Sequence, residues 1–161
     1  MPAIRQTREL LSDRELDPSQ VNVHKLDDIP ALWVDKNLLM QVAFNLISNA
    51  IKYSGDSAVA FRIEIAGHVT DSSYAIAFRD WGRGVPQEMR DVIFDEGVRG
   101  IDASGQHVSG DGLGLWVARQ AVEAHGGELP LTHLAQPTEF TIFLPKRLSN
   151  RPTGPLHTGA K

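Results

Sequence analysis

Between Asn37 and Tyr53 the apolar residues Leu38, Leu39, Val42, Phe44, Leu46, Ile47, Ala50 and Ile51 recur at helical spacing. The period predicts an amphipathic helix with Asp35 as its N-cap and Gly55 just past its end. Strand-like alternation follows twice. In "AFRIEIAG", Phe61, Ile63 and Ile65 alternate with Arg62 and Glu64, and in "SYAIAFRD", Tyr74, Ile76 and Phe78 share one face. With the turn-rich "GHVTDSS" between them, these runs predict an antiparallel hairpin with one buried face. A second hairpin is expected from "ELPLTHL" and "EFTIFLP" joined through "AQPT", and Val21 and Val23 alternate as in a short strand. Pro86 is placed to open a short helix in "PQEMRDVIF", and Leu113 to His125 predicts another helix stopped by Gly126 and Gly127. Residues 97–110 hold four glycines and almost no apolar period, which reads as a mobile loop of functional length.

Strands and helices are mixed without regular alternation, so the expected class is α+β. The expected architecture is a two-layer sandwich with a mixed sheet covered on one face by helices. The 161 residues suffice for one core-bearing domain. Residues 1–30 read as a connector from an upstream domain, 31–146 as the folded unit and 147–161 as a disordered tail.

Charge and composition narrow the function. A net charge of −4 without a long basic run argues against nucleic acid or an anionic membrane surface as the main partner. The absence of cysteine excludes disulfides, zinc–thiolate sites and a cysteine nucleophile. No apolar run approaches the roughly 20 residues that span a bilayer, and the N-terminus is no signal peptide. The expected setting is cytoplasmic, within a parent protein that could itself be membrane-anchored.

The first helix carries an unusual feature. Gln41, Asn45, Asn49 and Lys52 fall within about 80° of one another around its axis. A solvated face more often mixes Lys and Glu, whereas this row holds three amides and an ammonium. An Asn amide offers a neutral oxygen suited to Mg²⁺ and an NH₂ that can donate to phosphate, and Lys52 can neutralise phosphate charge. In "DWGRGVP", Asp80 ends an apolar strand ahead of Gly82 and Gly84. A carboxylate there can accept from an exocyclic amine, although taken by itself the segment is better explained as a tight strand-to-helix turn. In "GDGLGLWVARQAVEAHGG", Gly110, Gly112 and Gly114 crowd a helix start, an arrangement that suits polyphosphate. Neither a dinucleotide fingerprint nor a P-loop is present.

These segments occur in order: "NLISNAIKYS", "DWGRG", "IFDEGVR" and "GDGLGLWVARQAVEAHGG". Together they resemble the N box, first glycine box, F box and second glycine box of the ATP-binding catalytic domain of sensor histidine kinases. That domain belongs to a superfamily shared with gyrase, Hsp90 and MutL, and the resemblance covers residues 31 to 146. It implies the Bergerat-type ATP-binding fold, with ATP and Mg²⁺ as cofactors. It further implies that Asn45 coordinates Mg²⁺, that Asn49 and Lys52 contact phosphates or ribose, and that Tyr53 lies close to the nucleotide. Asp80 would read the adenine amino group, and Gly82 and Gly84 would shape the base pocket. Arg99 would reach the phosphates, while Gly110, Gly112, Leu113, Gly114 and Leu115 would border the triphosphate. Gln41, near the γ-phosphate, stands where hydrolysing members usually have a water-activating Glu. An amide cannot remove a proton, so Gln41 argues against efficient hydrolysis.

Two positions depart from the pattern. Gly97 replaces a second F-box aromatic, leaving Phe94 alone, and Gln136–Pro137 stands where a glycine is common. The family's phosphoacceptor histidine has no counterpart either. His24, His68, His107, His133 and His157 lie in unsuitable contexts, and His125 reads as a helix C-terminal cap. The resemblance therefore implies transfer to a histidine on a separate domain or chain, with a response regulator downstream. A largely monomeric fragment of a homodimeric parent is expected. The alternatives are an anti-sigma-type serine kinase of the same superfamily and a non-catalytic ATP-binding signalling module.

Overall fold

The computed structural model describes residues 20–54, 62–100 and 111–150. The expectations placed on Gly55, Phe61, His107, Gly110, His157 and the two ends of the chain lie outside the described residues. Five strands form one sheet in the order β1-β2-β3-β5-β4: β1 Val21–His24, β2 Ile63–Val69, β3 Ser73–Asp80, β4 Leu131–Leu134 and β5 Thr138–Pro145. Only β1 runs parallel to its neighbour, β2, and the other pairings are antiparallel, so the sheet is mixed. Both hairpins form as the alternation predicts. The first turn is closed by Thr70, whose N–H donates to Ser73 O and whose hydroxyl oxygen accepts from Ser73 N–H, each at 2.9 Å.

Two helices complete the layer: α1, Lys36–Lys52, and α2, Gly114–Ala124. Asp35 caps α1 as expected, its Oδ1 accepting from the N–H groups of Asn37 and Leu38 at 2.8 and 3.1 Å. The apolar stripes of α1 (Val42, Leu46, Ile47, Ala50, Ile51) and α2 (Leu115, Ala118, Ala121, Val122) share one core with Ile63, Phe78, Phe140, Ile142 and Leu144 of the sheet. Val42, Val122 and Leu144 are fully buried, and each such side chain contributes roughly 1.5–3 kcal/mol. On the opposite face Arg79 spans three strands, bonded to Glu64 of β2 and Glu139 of β5. That face can therefore remain polar.

Several expectations are corrected. "PQEMRDVIF" contains only a 3₁₀ turn over Gln87–Met89, followed by further turns. Phe94, near the end of the segment, is drawn into the core. The connector before residue 31 supplies an edge strand of the sheet, β1. Past residue 146 the chain makes a 3₁₀ turn over Lys146–Ser149. Leu148 there packs against the core, and its carbonyl accepts from Trp33 N–H at 2.7 Å. His68 lies in β2 rather than in the turn. Arg62 precedes β2 and stacks 3.7 Å over the Trp81 ring. Among the described residues, no helix is long and apolar enough to cross a membrane.

Candidate functional site

A cavity of about 580 Å³ opens where the C-terminal half of α1, the end of β3, the turns after it and the start of α2 converge. Ten of the residues singled out by sequence line it: Asn45, Asn49, Lys52, Tyr53, Asp80, Gly84, Arg99, Gly112, Gly114 and Leu115. Three of the described ones, Gln41, Gly82 and Leu113, are not among its lining residues. Gln41, one turn before Asn45, is exposed. Gly82 lies against Tyr53, Leu113 is the N-cap position of α2, and Gly110 lies outside the described residues.

Asp80 forms the floor. It is 7% exposed, and its register partner on β5 is Thr138, itself 3% exposed. Oδ1 of Asp80 accepts from Gly82 N–H at 2.9 Å, and the Thr138 hydroxyl donates to the same carboxyl group. Burial pushes the Asp80 carboxyl up to about 6, and the two hydrogen bonds offset part of that rise. Gly82 has no room for a side chain: a Cβ would lie 2.3 Å from Tyr53 O. The absent Cβ lets the loop lie against the end of α1, where Arg83 N–H donates to Tyr53 O at 3.0 Å. Gly84 adopts φ +81°, in the left-handed region that glycine favours. The chain then reaches β4 through Val85 N–H to Leu134 O at 2.8 Å.

The wall is α1. Asn45 Nδ2 donates to Gly114 O at 2.9 Å, joining the wall to the start of α2. That bond uses one N–H of the amide and leaves its carbonyl oxygen, a hard neutral ligand, for a cation. Among the described residues no cluster of three or more His, Cys, Asp or Glu could hold a metal ion. A divalent cation here would take most of its ligands from phosphate and water. The chemistry of Mg²⁺ fits that arrangement.

Val98, Arg99 and Gly100, on the segment that follows Phe94, line a further side. Phe94, the single F-box aromatic, is 3% exposed and meets Phe140 edge-on at 5.9 Å. The Arg119 guanidinium lies 3.9 Å from its ring centroid, so one aromatic is gripped from two sides. α2 starts at Gly114 with no side-chain cap on its first N–H groups, which stand at the cavity's edge.

Sequence reading missed Phe44, Ser48, Val85, Met89, Ile93, Thr138 and Phe140, all of which line the cavity. Phe44 and Ser48 occupy the i, i+4 row that ends at Lys52, beside the Asn45–Asn49 row, so that signal was legible. Thr138 depended on the pairing of β3 with β5 and carried no local signal. Gln136, where glycine is common in the resemblance, adopts φ +49°, the backbone conformation that favours glycine. The described histidines do not line the cavity. His133 Nδ1 donates to Pro137 O at 2.8 Å, and His24 and His68 are exposed on β1 and β2.

Comparison with known proteins bears on the family and the fold. Residues 34–148 match the family model described as histidine kinase-, DNA gyrase B-, and HSP90-like ATPase. The sensor histidine kinase AtsR of Burkholderia thailandensis is 33% identical over 122 residues, which are 75% of this chain and 20% of AtsR. The adaptive-response sensory kinase SasA of Synechococcus elongatus is 34% identical over 147 residues, 89% of this chain and 37% of that protein. The catalytic domain of histidine kinase ThkA superposes with a TM-score of 0.68 at 21% identity, covering 90% of this chain and 92% of that one. The mycobacterial sensor histidine kinase MprB gives 0.63 at 23%, covering 89% and 93%. These two structures carry the fold alone. The chain spans between 20% and 37% of the length of the two curated relatives named here. Because the family model covers most of the sequence, the chain belongs to the histidine kinase-, DNA gyrase B- and HSP90-like ATPase family.

Proposed function

We propose that this chain is the ATP-binding catalytic domain of a sensor histidine kinase. In this reading it donates the γ-phosphoryl group of ATP to a histidine nitrogen on a separate domain or chain, with a response regulator as the final acceptor. One observation carries the reading: the buried carboxylate of Asp80 and the Asn45–Asn49–Lys52 row meet in one cavity, and Gln41 is left outside it. Asp80 would accept from the adenine amino group, and Thr138 and Gly82 N–H would hold the carboxylate for that contact. Lys52, Arg99 and the uncapped start of α2 would take the phosphates. Asn45 would hold Mg²⁺ through its carbonyl oxygen, and the bound ion would neutralise charge on the phosphates. Gln41, which stands where hydrolysing members of the superfamily usually have a water-activating Glu, is an amide and lies outside the cavity lining, which favours donation to an incoming nucleophile over hydrolysis.

The test supplies radiolabelled ATP, Mg²⁺ and a separate helical-hairpin domain bearing the acceptor histidine. Acid-labile, base-stable label on the hairpin supports the reading. Acid-stable label on a serine would overturn it in favour of a serine kinase.

A further inference from the structure

Helices α1 and α2 are tied together at both ends of their contact. At the cavity end the tie is Asn45 Nδ2 to Gly114 O. At the far end the backbone N–H of Asp35 donates to Nε2 of His125 at 2.9 Å, across 90 positions of sequence. Because Nε2 accepts, the ring proton must sit on Nδ1, which donates to Ala121 O at 2.7 Å. His125 is therefore more than the C-terminal cap read from sequence: one nitrogen serves its own helix and the other holds the start of α1. Asp35 thus serves both helices, its Oδ1 accepting from Asn37 and Leu38 of α1 and its backbone N–H donating to His125.

The two ties bracket matched lengths. At about 1.5 Å per residue, Asp35 to Asn45 spans roughly 15 Å and Gly114 to His125 roughly 16.5 Å. The apolar contact between the helices is non-directional and tolerates a small slide. Two hydrogen bonds at opposite ends do not, since each fails within a few tenths of an ångström.

We infer that His125 is a positioning residue for the cavity. Through Asp35 N–H it sets the register of α1 on α2, and with it where Asn45 and Asn49 stand beside the start of α2. The consequence for nucleotide rests on the function proposed above. The register itself does not.

Two variants separate the ring's hydrogen bonds from its bulk. In His125→Asn the amide still reaches Ala121 O but is too short for Asp35. In His125→Gln the longer side chain can present its oxygen to Asp35 N–H. With every protein held well below its unfolding temperature, Mg·ATP affinity is measured by calorimetry. The side-chain NH₂ resonances of Asn45 are followed by NMR without nucleotide. Expected are a shift of those resonances and a roughly three- to tenfold loss of affinity in His125→Asn. His125→Gln should recover most of both. Imidazole ¹⁵N shifts of the wild type should report the Nδ1–H tautomer. Unmoved Asn45 resonances in His125→Asn, a Gln variant as impaired as the Asn variant, or an Nε2–H tautomer would each overturn the inference. A wild type that binds no nucleotide would overturn the proposed function instead, with the Asn45 resonances still deciding the register.

Discussion

Asp80 at the cavity floor is almost fully buried, hydrogen-bonded by Gly82 and Thr138, and fixed between strands on both sides. Asn45, Asn49 and Lys52 on the α1 wall stay half-buried. The floor works through desolvation: a carboxylate withdrawn from water gains from each donor that a ligand brings, and its geometry is set beforehand. The wall works through charge and polar groups that water and salt still reach. Under the proposed function, shape and base recognition would belong to the sheet, and phosphate recognition to the helix. Substitutions on the two sides should differ in size and in salt dependence.

The largest expected effect is at the floor. Asp80→Asn keeps the shape, replaces one acceptor oxygen by a donor, and should weaken ATP binding about 100-fold, on the scale of a lost charge-assisted hydrogen bond plus an unmatched donor. Circular dichroism should be unchanged. Calorimetry showing unchanged affinity would remove Asp80 from base recognition. Next comes the wall: Lys52→Ala should weaken binding roughly tenfold at low ionic strength. The deficit should shrink as salt is raised, whereas the Asp80→Asn deficit should not. A salt-independent Lys52 effect would erase the distinction between floor and wall.

Acidity gives a smaller, signed test. The Asp80 carboxyl lies at about 6 in the folded chain, against an ordinary value of 3.8. Its folded-state value is raised, so the stability that this group contributes is fully present below 3.8 and is lost as pH rises through about 6. Acidifying from pH 7 to 5 should therefore stabilise wild type relative to Asp80→Asn by about 1 kcal/mol in chemical denaturation. Over the same range wild-type ATP affinity should fall, because the base contact needs the carboxylate. The smallest effect is expected at Gln41, exposed and outside the cavity lining: Gln41→Ala should leave ATP affinity within about twofold by calorimetry. A large loss would bring the start of the polar stripe back into the site.

That stripe shows how far sequence reaches. The 3.6-residue period and the Asp35 cap define α1, and the same period aligns Asn45, Asn49 and Lys52, because helix geometry follows from near neighbours alone. Both hairpins are legible for the same reason, since period-2 alternation and turn residues act locally. The helical period alone could not separate Gln41 from the rest of its row, because the row continues geometrically past the point where the cavity ends; only the resemblance set it apart.

What tertiary structure decided was who meets whom across long separations. Pairing of β3 with β5 joins the two hairpins and sets Thr138 against Asp80. The parallel docking of β1 turns a connector into a sheet edge, and antiparallel α1 and α2 bring His125 to Asp35. None of these contacts leaves a local trace, since each depends on burying two distant apolar faces in one core. The sequence by itself determined the elements and the chemical kinds of the site's groups. Packing decided their distances, and with them which carboxyl is desolvated enough to be held near 6.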